Sequence, residues 1–390
     1  MLIQKAFKFR LKPNTQQRIQ LAKTAGCVRL VWNKTLDTLQ KAHEAGEKYS
    51  GYNNICKELV SWKKSEDTDF LKEVHSQPLQ QTQKDLDKAF KEFSKKRKGF
   101  PKFKKKNRDK GFRYPQGIKV ENQKVFLPKI GWVKFQKSRA IEGKIKNATM
   151  TFHAGHWYIS IQTEFEKDVS EREVSSIEKD IVGIDMGVKN FATTSRGEFV
   201  EPLNSFKKHE KKLAKEGRKL SRKKKGSRKW ILQKYKLQKC HAKIANVRKD
   251  FLHKLSSSIS KNHAVVVIED LKVSNMSRSA KGNSAQHGKS VKAKSGLNKA
   301  ILDQGWYEFR RQLEYKQRWS GGRVIAIPPQ HTSQKCFKCG HVAKENRKTQ
   351  ELFSCVECGA SAHADVNAAQ NIKAAGHAVL AREDISLIAS

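Results

Sequence analysis

Four cysteines in the last sixth of the chain form two Cys-x-x-Cys pairs, Cys336 with Cys339 and Cys355 with Cys358. Fifteen residues separate the pairs, and this spacing is typical of a tetrahedral zinc site with four thiolate ligands. A redox role for a Cys-x-x-Cys pair is the alternative. The pattern predicts one structural zinc ion in a ribbon over residues 336–359.

Three acidic residues are the candidates for binding a catalytic metal. Asp185 ends the apolar run I-V-G-I-D, Glu269 ends A-V-V-V-I-E, and Asp365 follows the last cysteine by seven residues at the start of a helical pattern. Mg²⁺ prefers oxygen ligands and is often held by carboxylates together with substrate phosphate. Two strand carboxylates and one helix carboxylate predict a site for two Mg²⁺ ions, as in RNase H-like nucleases.

Each acid also has a simpler explanation. Asp185 could cap a turn, and Glu269 could end its strand without a further role. Asp365 or Asn367 could cap a helix. The string I-D-M-G also resembles the first phosphate loop of actin-like ATPases, but no convincing partner loop for phosphate or adenosine follows. The order of strand acid, basic helices, strand acid, cysteine ribbon and helix acid favours a joint site.

The elements that must position these acids follow from the hydrophobic pattern of the second half. Residues 181–187 and 264–271 form apolar runs of buried strands, which could be neighbours in one mixed sheet. Between them, residues 207–254 contain twenty Lys and Arg against three acids, with apolar residues at helical intervals. This predicts a basic helical hairpin that turns at residues 223–229 and contacts nucleic acid. The Ser-, Gly- and Lys-rich residues 272–300 are interpreted as a mobile lid or nucleic-acid-binding loop.

The first half predicts a small β-barrel with a helical insertion. Phe7, Phe9 and Leu11 alternate with basic residues, as in a half-buried strand, and residues 14–95 have helical spacing. Residues 118–166 have strand-like patterns, with a hairpin around Gly155. The first strand has no nearby partner, so we expect it to complete this later sheet.

Two further segments of the first half are distinctive. Residues 94–113 carry eleven Lys and Arg and one acid, interrupted by Phe100 and Phe103. The cations predict phosphate binding, and the aromatic rings could either stack on bases or dock on the domain. The polar residues 168–180 are typical of a linker between the two halves.

The composition limits the partners and the compartment. The 390 residues predict two or three domains, and 81 Lys and Arg against 38 Asp and Glu give a net charge of +43. Such an excess predicts a polyanionic partner, with nucleic acid favoured over a ribosome-associated or membrane-surface role. No apolar run is long enough for a membrane span, and the first residues do not resemble a signal peptide. Cysteines in metal-binding pairs fit a reducing compartment.

The motifs together resemble the TnpB family, transposon-encoded RNA-guided endonucleases that have a RuvC active site and are related to type V CRISPR nucleases. The specific strings are G-I-D-M-G-V-K-N-F-A, V-V-V-I-E-D-L, T-S-Q-K-C-F-K-C-G, C-V-E-C-G and A-D-V-N-A-A-Q-N-I. K-A-F-K-F-R-L-K-P-N, G-F-P-K-F-K-K-K and L-P-K-I-G-W-V-K extend the resemblance over nearly the whole chain. One departure is His363-Ala364, where many relatives have an Asp-Arg pair before the third acid.

The resemblance implies an α+β multidomain fold. Residues 1–13 and 115–178 would form a wedge-like β-barrel domain, and residues 14–114 an inserted helical recognition domain. Residues 179–335 and 360–390 would form an RNase H-like (RuvC) α/β nuclease domain, interrupted by the zinc ribbon at 336–359.

The resemblance also implies partners and residue roles. The protein would bind a guide RNA from the transposon end and cleave double-stranded target DNA, next to a short adjacent motif, with Mg²⁺. Asp185, Glu269 and Asp365 match the catalytic acids that hold Mg²⁺, and the four cysteines match the zinc ligands. The expected nucleic-acid contacts are Tyr52 and Gln80 near the adjacent motif, Lys102 and Lys104, and Lys223, Lys224 and Arg228.

The expected state is a monomer with RNA, in the cytoplasm of a prokaryote and associated with the nucleoid. Two other functions stay open from the sequence. A nuclease-inactive, RNA-guided DNA-binding repressor is the main alternative, although such relatives usually lose catalytic acids and this chain has all three. A transposase that joins strands itself is the other, but no tyrosine or HUH-type histidine pair is evident as a nucleophile.

Overall fold

The computed structural model describes residues 1–47, 51–106, 110–175, 177–283 and 286–388, without the side chains of residues 177 and 383–388. Small parts of five predicted segments therefore lie outside the described residues: 48–50 of the helical segment, 107–109 of the basic segment, 176 of the linker, 284–285 of the predicted lid and 389–390 of the nuclease domain. The chain divides into two compact units, Met1–Lys167 and Asp168–Ser390.

The first unit contains one seven-stranded sheet. Its strands are β1 (Leu2–Lys12), β2 (Gly111–Tyr114), β3 (Lys119–Glu121), β4 (Lys124–Leu127), β5 (Gly131–Phe135), β6 (Lys144–His153) and β7 (His156–Glu166). The hydrogen-bonded order is β2-β6-β7-β1-β5-β4-β3, so β2 and β3 are the two edges. β1 pairs antiparallel with β7 and then, at Leu11 and Lys12, with β5. The prediction that the first strand completes the later sheet is confirmed.

Alternation along β1 determines which face of the strand is buried. Phe7, Phe9 and Leu11 are buried, whereas Arg10 and Lys12 between and beyond them are exposed. The predicted hairpin joins β6 to β7 through two residues, Ala154 and Gly155, whose φ angles are 48° and 85°. Two consecutive residues with positive φ match the twist of the flanking strands.

The helices α1 (Thr15–Glu44), α2 (Gly51–Lys64) and α3 (Ser76–Ser94) lie in the chain between β1 and β2, with a 3-10 segment over Glu66–Glu73. Asn14 and Gln17 form a reciprocal capping box that starts α1. The first half of α1 shares the core of the sheet, since Leu21, Val28 and Val31 pack with the strand residues. Its second half packs on α2 and α3.

The second unit contains a five-stranded mixed sheet. Its strands are β8 (Ile181–Asp185), β9 (Ala192–Thr194), β10 (Phe199–Val200), β11 (Val265–Glu269) and β12 (Arg323–Ile327), in the order β10-β9-β8-β11-β12. β11 is parallel to both β8 and β12, and β9 is antiparallel to β8. The expected proximity of the strands that carry Asp185 and Glu269 is therefore confirmed.

Helices cover both faces of this sheet. The described helices of this unit are α4 (Ile177–Asp180), α5 (Ser205–Ser221), α6 (Arg228–Asn262), α7 (Val273–Met276), α8 (Val291–Gln304), α9 (Trp306–Trp319) and α10 (Ala364–Ile388). Leu252 of α6 and Phe309 of α9 share a core with Val266 of β11. On the opposite face, Ile372 of α10 packs with Val267. A two-stranded ribbon, β13 (Leu352–Ser354) and β14 (Ser361–His363), precedes α10.

The sequence predicts a mobile lid or nucleic-acid-binding loop over residues 272–300, and the loop conformation is wrong for the described parts that are helical. α7 occupies Val273–Met276, and α8 begins at Val291 and continues to Gln304. Ile301 is buried in the core beside the sheet, and Asp303 accepts hydrogen bonds from the first residues of α5. The free energy of these tertiary contacts outweighs the weak helix signal of a Ser- and Gly-containing segment.

The predicted linker begins at the boundary between the units and then attaches to the second unit. The backbone N–H of Arg172 donates to the carbonyl of Gly321 at 2.9 Å. Its guanidinium group donates to the carbonyls of Ser260 and His263 at 2.9 and 3.0 Å. This part of the segment is therefore held on the second unit by hydrogen bonds.

Two glycines allow α10 to lie directly on the sheet. A Cβ atom at Gly183 in β8 would collide with the carbonyl oxygen of Ala369, and one at Gly376 would collide with the side chain of Val267. The close approach needs residues without side chains at both positions. It sets the height of α10 above β8 and β11, and therefore the position of Asp365 in its first turn. None of the helices among the described residues is long and apolar enough to cross a lipid bilayer.

Candidate metal centres and nucleic-acid-binding surfaces

The three predicted acids lie at one edge of the second sheet. Asp185 and Glu269 are the last residues of β8 and β11, whose register pairs Ile184 with Ile268 immediately before them. Carboxyl ends of parallel strands meet at the same edge, so the two side chains project from neighbouring positions. Asp365 reaches the same edge from the first turn of α10, which packs on β8.

Burial raises the pKa of both strand acids, and neighbouring negative charge adds to the increase for Asp185. Burial raises the pKa of Asp185 to about 7, and the negative charges of Glu269 and Asp365 add to that increase. Burial also raises the pKa of Glu269, which is 8% exposed. Acids that disfavour ionisation next to one another are expected where a cation is meant to bind.

Three polar partners hold the acids. Thr332 donates from Oγ1 to Oε1 of Glu269 at 2.6 Å, and this hydrogen bond opposes the increase in the pKa of Glu269. Asn190 donates from Nδ2 to Oδ2 of Asp365 at 3.2 Å. Arg347 of the ribbon lies with Nη2 3.8 Å from Oδ1 of Asp365.

The carboxylates are nevertheless more open than a closed metal cage. Among the described residues, the four cysteines are the one group of three or more His, Cys, Asp or Glu residues gathered closely enough to hold an ion by themselves. A Mg²⁺ site of one or two carboxylates completed by water and substrate phosphate does not need such a cage. The donor chemistry of the three acids, oxygen atoms only, fits Mg²⁺ on that basis.

His363, which departs from the Asp-Arg pair expected before the third acid, has a local structural role. His363 accepts the backbone N–H of Asp365 at its Nδ1 atom, 3.3 Å away, and its ring contacts Phe199 at a centroid distance of 4.7 Å. The residue therefore supports the start of α10 rather than adding a further acid.

The four cysteines converge as predicted. The Sγ atoms of all four lie within 4.8 Å of one another, with Cys336 to Cys358 at 3.8 Å and Cys339 to Cys355 at 3.6 Å. Tetrahedral thiolates about 2.3 Å from zinc are spaced by about 3.8 Å. The donor set and its spacing therefore fit one Zn²⁺ ion.

The two cysteine knuckles have the same backbone pattern. Gly340 donates its N–H to the carbonyl of Cys336 at 2.9 Å, and Gly359 donates to that of Cys355 at 3.1 Å. Both glycines have positive φ, 80° and 68°. Each knuckle is thus a tight turn that directs a pair of thiols toward the same point.

Two asparagines connect the ribbon to α10. Asn367 accepts the backbone N–H of Phe337 at 3.1 Å and donates to the carbonyl of Lys335 at 2.8 Å. Asn371 donates to the carbonyls of Lys335 and Thr332, at 2.6 and 2.9 Å. The ribbon, the residue that orients Glu269 and the helix that carries Asp365 are therefore hydrogen-bonded together.

The first basic segment lies against α1. Asn33 exchanges two hydrogen bonds with the backbone of Lys104, whose Nζ lies 3.8 Å from the centroid of the Trp32 ring. The indole of Trp32 donates to the carbonyl of Lys102, and the Lys102 side chain is exposed. Phe100 packs edge-on against Phe90 and Phe93, which is the docking alternative, whereas Phe103 is 47% exposed.

The second basic segment is a helical hairpin, as predicted. α5 and α6 pack along one another, with Leu213, Cys240 and Ile244 in their small shared core. Lys223, which is partly exposed, and Lys224, which is exposed, lie in the turn between the helices. Arg228, also exposed, begins α6. The hairpin therefore presents cations at its tip.

Tyr52 and Gln80 lie on adjacent helices of the first unit. Tyr52 is in the first turn of α2 and is partly buried, and hydrogen bonding to Cys56 raises the pKa of Tyr52 to about 12. Gln80 is exposed on α3. Both side chains are uncharged, and both are at least partly accessible to a ligand.

Sequence reasoning missed Thr332, Asn190 and Arg347 as partners of the acids. Thr332 lies in the quoted string T-S-Q-K-C and Asn190 in G-V-K-N-F-A, so the motifs held an unused signal. Arg347 stands in the stretch between the cysteine pairs, and no local pattern distinguishes it from neighbouring cations.

Comparison with known proteins places the chain in a family. Residues 160–280 match the OrfB_IS605 model, described as "Probable transposase", residues 306–372 match a Cas12f1-like TNB domain, and residues 1–48 match a helix-turn-helix domain. InsQ of Escherichia coli (strain K12), named as an RNA-guided DNA endonuclease, is 53% identical over 96% of this chain and 93% of its own length.

A second relative agrees with this assignment, and one solved structure has a similar fold. A protein of Streptomyces pristinaespiralis, also named as an RNA-guided DNA endonuclease, is 34% identical over 98% of this chain and 92% of its own length. A cryo-EM structure of a Cas12f1–sgRNA–target DNA complex has a similar fold, with a TM-score of 0.57 at 14% identity, over 95% of this chain and 99% of that one. The chain therefore belongs to the TnpB family, the group described by the OrfB_IS605 model.

Proposed function

We propose that the protein is an RNA-guided DNA endonuclease of a transposable element, which cleaves target DNA next to a short adjacent motif. The observation that carries the proposal is the approach of Asp185, Glu269 and Asp365 from two parallel strands and one helix. The names of two relatives that align over more than nine-tenths of this chain support the same activity.

The three acids would hold Mg²⁺ by their carboxylate oxygens. Bound Mg²⁺, as a pair of ions, supplies activation of the attacking water and stabilisation of the leaving 3′-oxygen. The chain's own contribution is orientation. Thr332 fixes one oxygen of Glu269, and Asn190 fixes one oxygen of Asp365. Asp185 must lose its proton before it can act as a ligand.

The proposed domain layout assigns these parts to a RuvC domain at 179–335 and 360–390, interrupted by the zinc ribbon at 336–359. A wedge-like β-barrel domain, expected at 1–13 and 115–178, and a helical recognition domain, expected at 14–114, complete it. The pairing of β2 with β6 and the hydrogen bonds of Arg172 to the second unit move these expected boundaries to 1–13 with 111–167 and to 14–110. Zinc in this layout is structural, because four thiolates fill its tetrahedral coordination and leave no position for substrate. The fold likeness to the Cas12f1 complex supports the general architecture.

The proposed partners are a guide RNA from the transposon end and double-stranded target DNA, with the protein acting as a monomer in the nucleoid of a prokaryotic cell. The net charge of +43 supports polyanion binding. Lys223, Lys224 and Arg228 would contact phosphates from the hairpin tip, and Lys102 and Lys104 from the first basic segment. Tyr52 and Gln80 would lie near the adjacent motif.

The decisive experiment is a cleavage assay with the purified protein, its transposon-end RNA and a DNA target that matches the guide. Cleavage should require Mg²⁺ and should fall below detection in Asp185→Ala, whereas RNA binding should be unchanged. Undiminished cutting by Asp185→Ala would refute the active-site assignment. Binding of the target without cleavage in Mg²⁺ or Mn²⁺ would instead identify a nuclease-inactive repressor.

A further inference from the structure

A cavity of about 700 Å³ opens in the first unit, and two of its lining residues, Lys106 and Lys110, belong to the first basic segment. Four parts of the chain form its walls. They are the end of β1 and the following residues (10–13), the first turns of α1 (18–29), Lys106 and Lys110 before β2, and the β6–β7 turn region (152–157).

The cavity is strongly cationic. Six Lys and Arg residues line it: Arg10, Lys12, Arg18, Arg29, Lys106 and Lys110. Among the described residues that line it, none is acidic. Positive charge concentrated in a concave surface attracts an anion more strongly than the same charge on a convex surface.

Aromatic and aliphatic groups form the remaining wall. Trp157 is 6% exposed and meets Phe152 at a centroid distance of 5.3 Å, and Nζ of Lys110 lies 5.0 Å from the centroid of the Phe152 ring. Leu11 and Ala25 add aliphatic surface. Cations beside an aromatic wall suit a ligand that has both a phosphate and a flat ring.

Two of the arginines are already held in place. Nη2 of Arg10 lies 2.9 Å from Nδ1 of His156, and Nε of Arg18 donates to the carbonyl of Pro13 at 3.1 Å. Each guanidinium group keeps further N–H donors beyond the one used. Side chains that are ordered before binding lose less conformational entropy when a ligand arrives.

From these features we propose that the cavity binds a single unpaired nucleotide of an RNA or DNA strand, with its phosphate on the arginines and its base on the aromatic wall. The volume lies within the range of about 300 to 1,000 Å³ of pockets for one small ligand, which matches one nucleotide with its phosphate. The inference rests on the proposed function only for the source of the strand, since the binding itself needs no cleavage.

The test measures binding of labelled ten-nucleotide oligouridylate and oligodeoxythymidylate to the full chain by fluorescence anisotropy over a series of salt concentrations. The double variant Arg10→Ala with Arg29→Ala should weaken binding about tenfold and reduce the salt dependence. Phe152→Leu, which removes the ring and no charge, should weaken binding with an unchanged salt dependence. Preference for uridylate would assign the strand to RNA, and preference for deoxythymidylate to DNA.

The matched control removes two exposed cations of the same unit outside the cavity, Lys119→Ala with Lys124→Ala. It should change binding less than about twofold. The proposal would be overturned if both double variants lost oligonucleotide affinity equally, or if a blunt duplex competed as well as a single strand. Either result would show that the protein attracts nucleic acid by its overall charge alone. Thermal unfolding of each variant separates misfolding from lost contacts. The binding measurement needs no Mg²⁺ and no guide, so failure of this proposal and failure of the nuclease proposal give different results.

Discussion

Thr332 donates a 2.6 Å hydrogen bond from Oγ1 to Oε1 of Glu269, although 63 residues separate them in the chain. The carbonyl of Thr332 in turn accepts from Asn371 of α10, the helix that carries Asp365. One residue therefore connects the acid at the end of β11 to the helix that supplies the third acid. A ligand carboxylate held in this way keeps its orientation when a cation arrives.

Replacement of the Thr332 hydroxyl group should lower the cleavage rate more than it lowers the stability of the fold. Thr332→Val keeps the volume but leaves Oε1 of Glu269 without its donor, and we expect the cleavage rate to fall by about tenfold or more. Thr332→Ser retains the hydroxyl and should recover most of the rate. Single-turnover cleavage at saturating Mg²⁺ measures both. Equal rates for Val and Ser variants would show that the hydrogen bond does not matter to cleavage.

The acids and their partners differed in how far they could be predicted from sequence. Asp185 and Glu269 end unusually apolar runs, and the zinc ligands follow a spacing rule, so local patterns were sufficient to predict where they lie. Thr332 depends on a contact across 63 residues, which no local pattern encodes. The helix α8 was missed because its stability comes from tertiary contacts. Ile301 is buried in the core, and Asp303 accepts a hydrogen bond from the backbone N–H of Phe206 at the start of α5.

The raised pKa of Asp185 predicts a pH-dependent metal requirement. Below its pKa of about 7 the carboxyl group is protonated, so a cation must displace a proton to bind. The Mg²⁺ concentration for half-maximal cleavage should therefore increase as pH falls from about 8 to about 6, approaching tenfold per pH unit below the pKa. Mg²⁺ titrations of cleavage at several pH values measure this, and a pH-independent requirement would contradict it.

The raised pKa of Asp185 also affects the free energy of unfolding of the metal-free protein. The folded protein holds the Asp185 proton more tightly than the unfolded chain, whose Asp pKa is about 3.9. The free energy of unfolding should therefore decrease as pH rises from about 4 to about 7, and added Mg²⁺ should oppose the decrease. Asp185→Asn removes the titrating group and should make this part of the pH dependence smaller in chemical denaturation.

Loss of a zinc ligand should affect the nuclease site through the ribbon. Cys355→Ser removes one of four converging thiolates, and we expect the bound zinc to fall from one ion per chain to none. Asn367 is anchored on the backbone of Phe337, within the first knuckle, so α10 should loosen and cleavage should decrease.

Metal analysis with thiol titration checks the zinc prediction, and Cys56→Ser, far from the cluster in sequence, is the control that should retain zinc. A purified protein that contains no zinc and has four reactive thiols in the ribbon would support the redox alternative instead.

Gly183 should tolerate no side chain, because the close contact of β8 with α10 leaves no room for one. A Cβ atom there meets the backbone of Ala369 and Lys373, which cannot rotate away, so α10 must shift as a whole. We expect Gly183→Ala to lower the free energy of unfolding by about 1 to 3 kcal/mol, the usual cost of overpacking a core. Because Asp365 moves with α10, the cleavage rate should fall even at temperatures where the variant is folded.

Gly217→Ala is the matched control, since Gly217 lies within α5 with open space around its Cβ position. That change should raise stability by about 0.5 to 1 kcal/mol, by removing a glycine from a helix interior, and should leave cleavage unchanged. Denaturant unfolding with single-turnover cleavage of both variants measures the difference. If both alanines behave alike, the close contact does not set the position of Asp365.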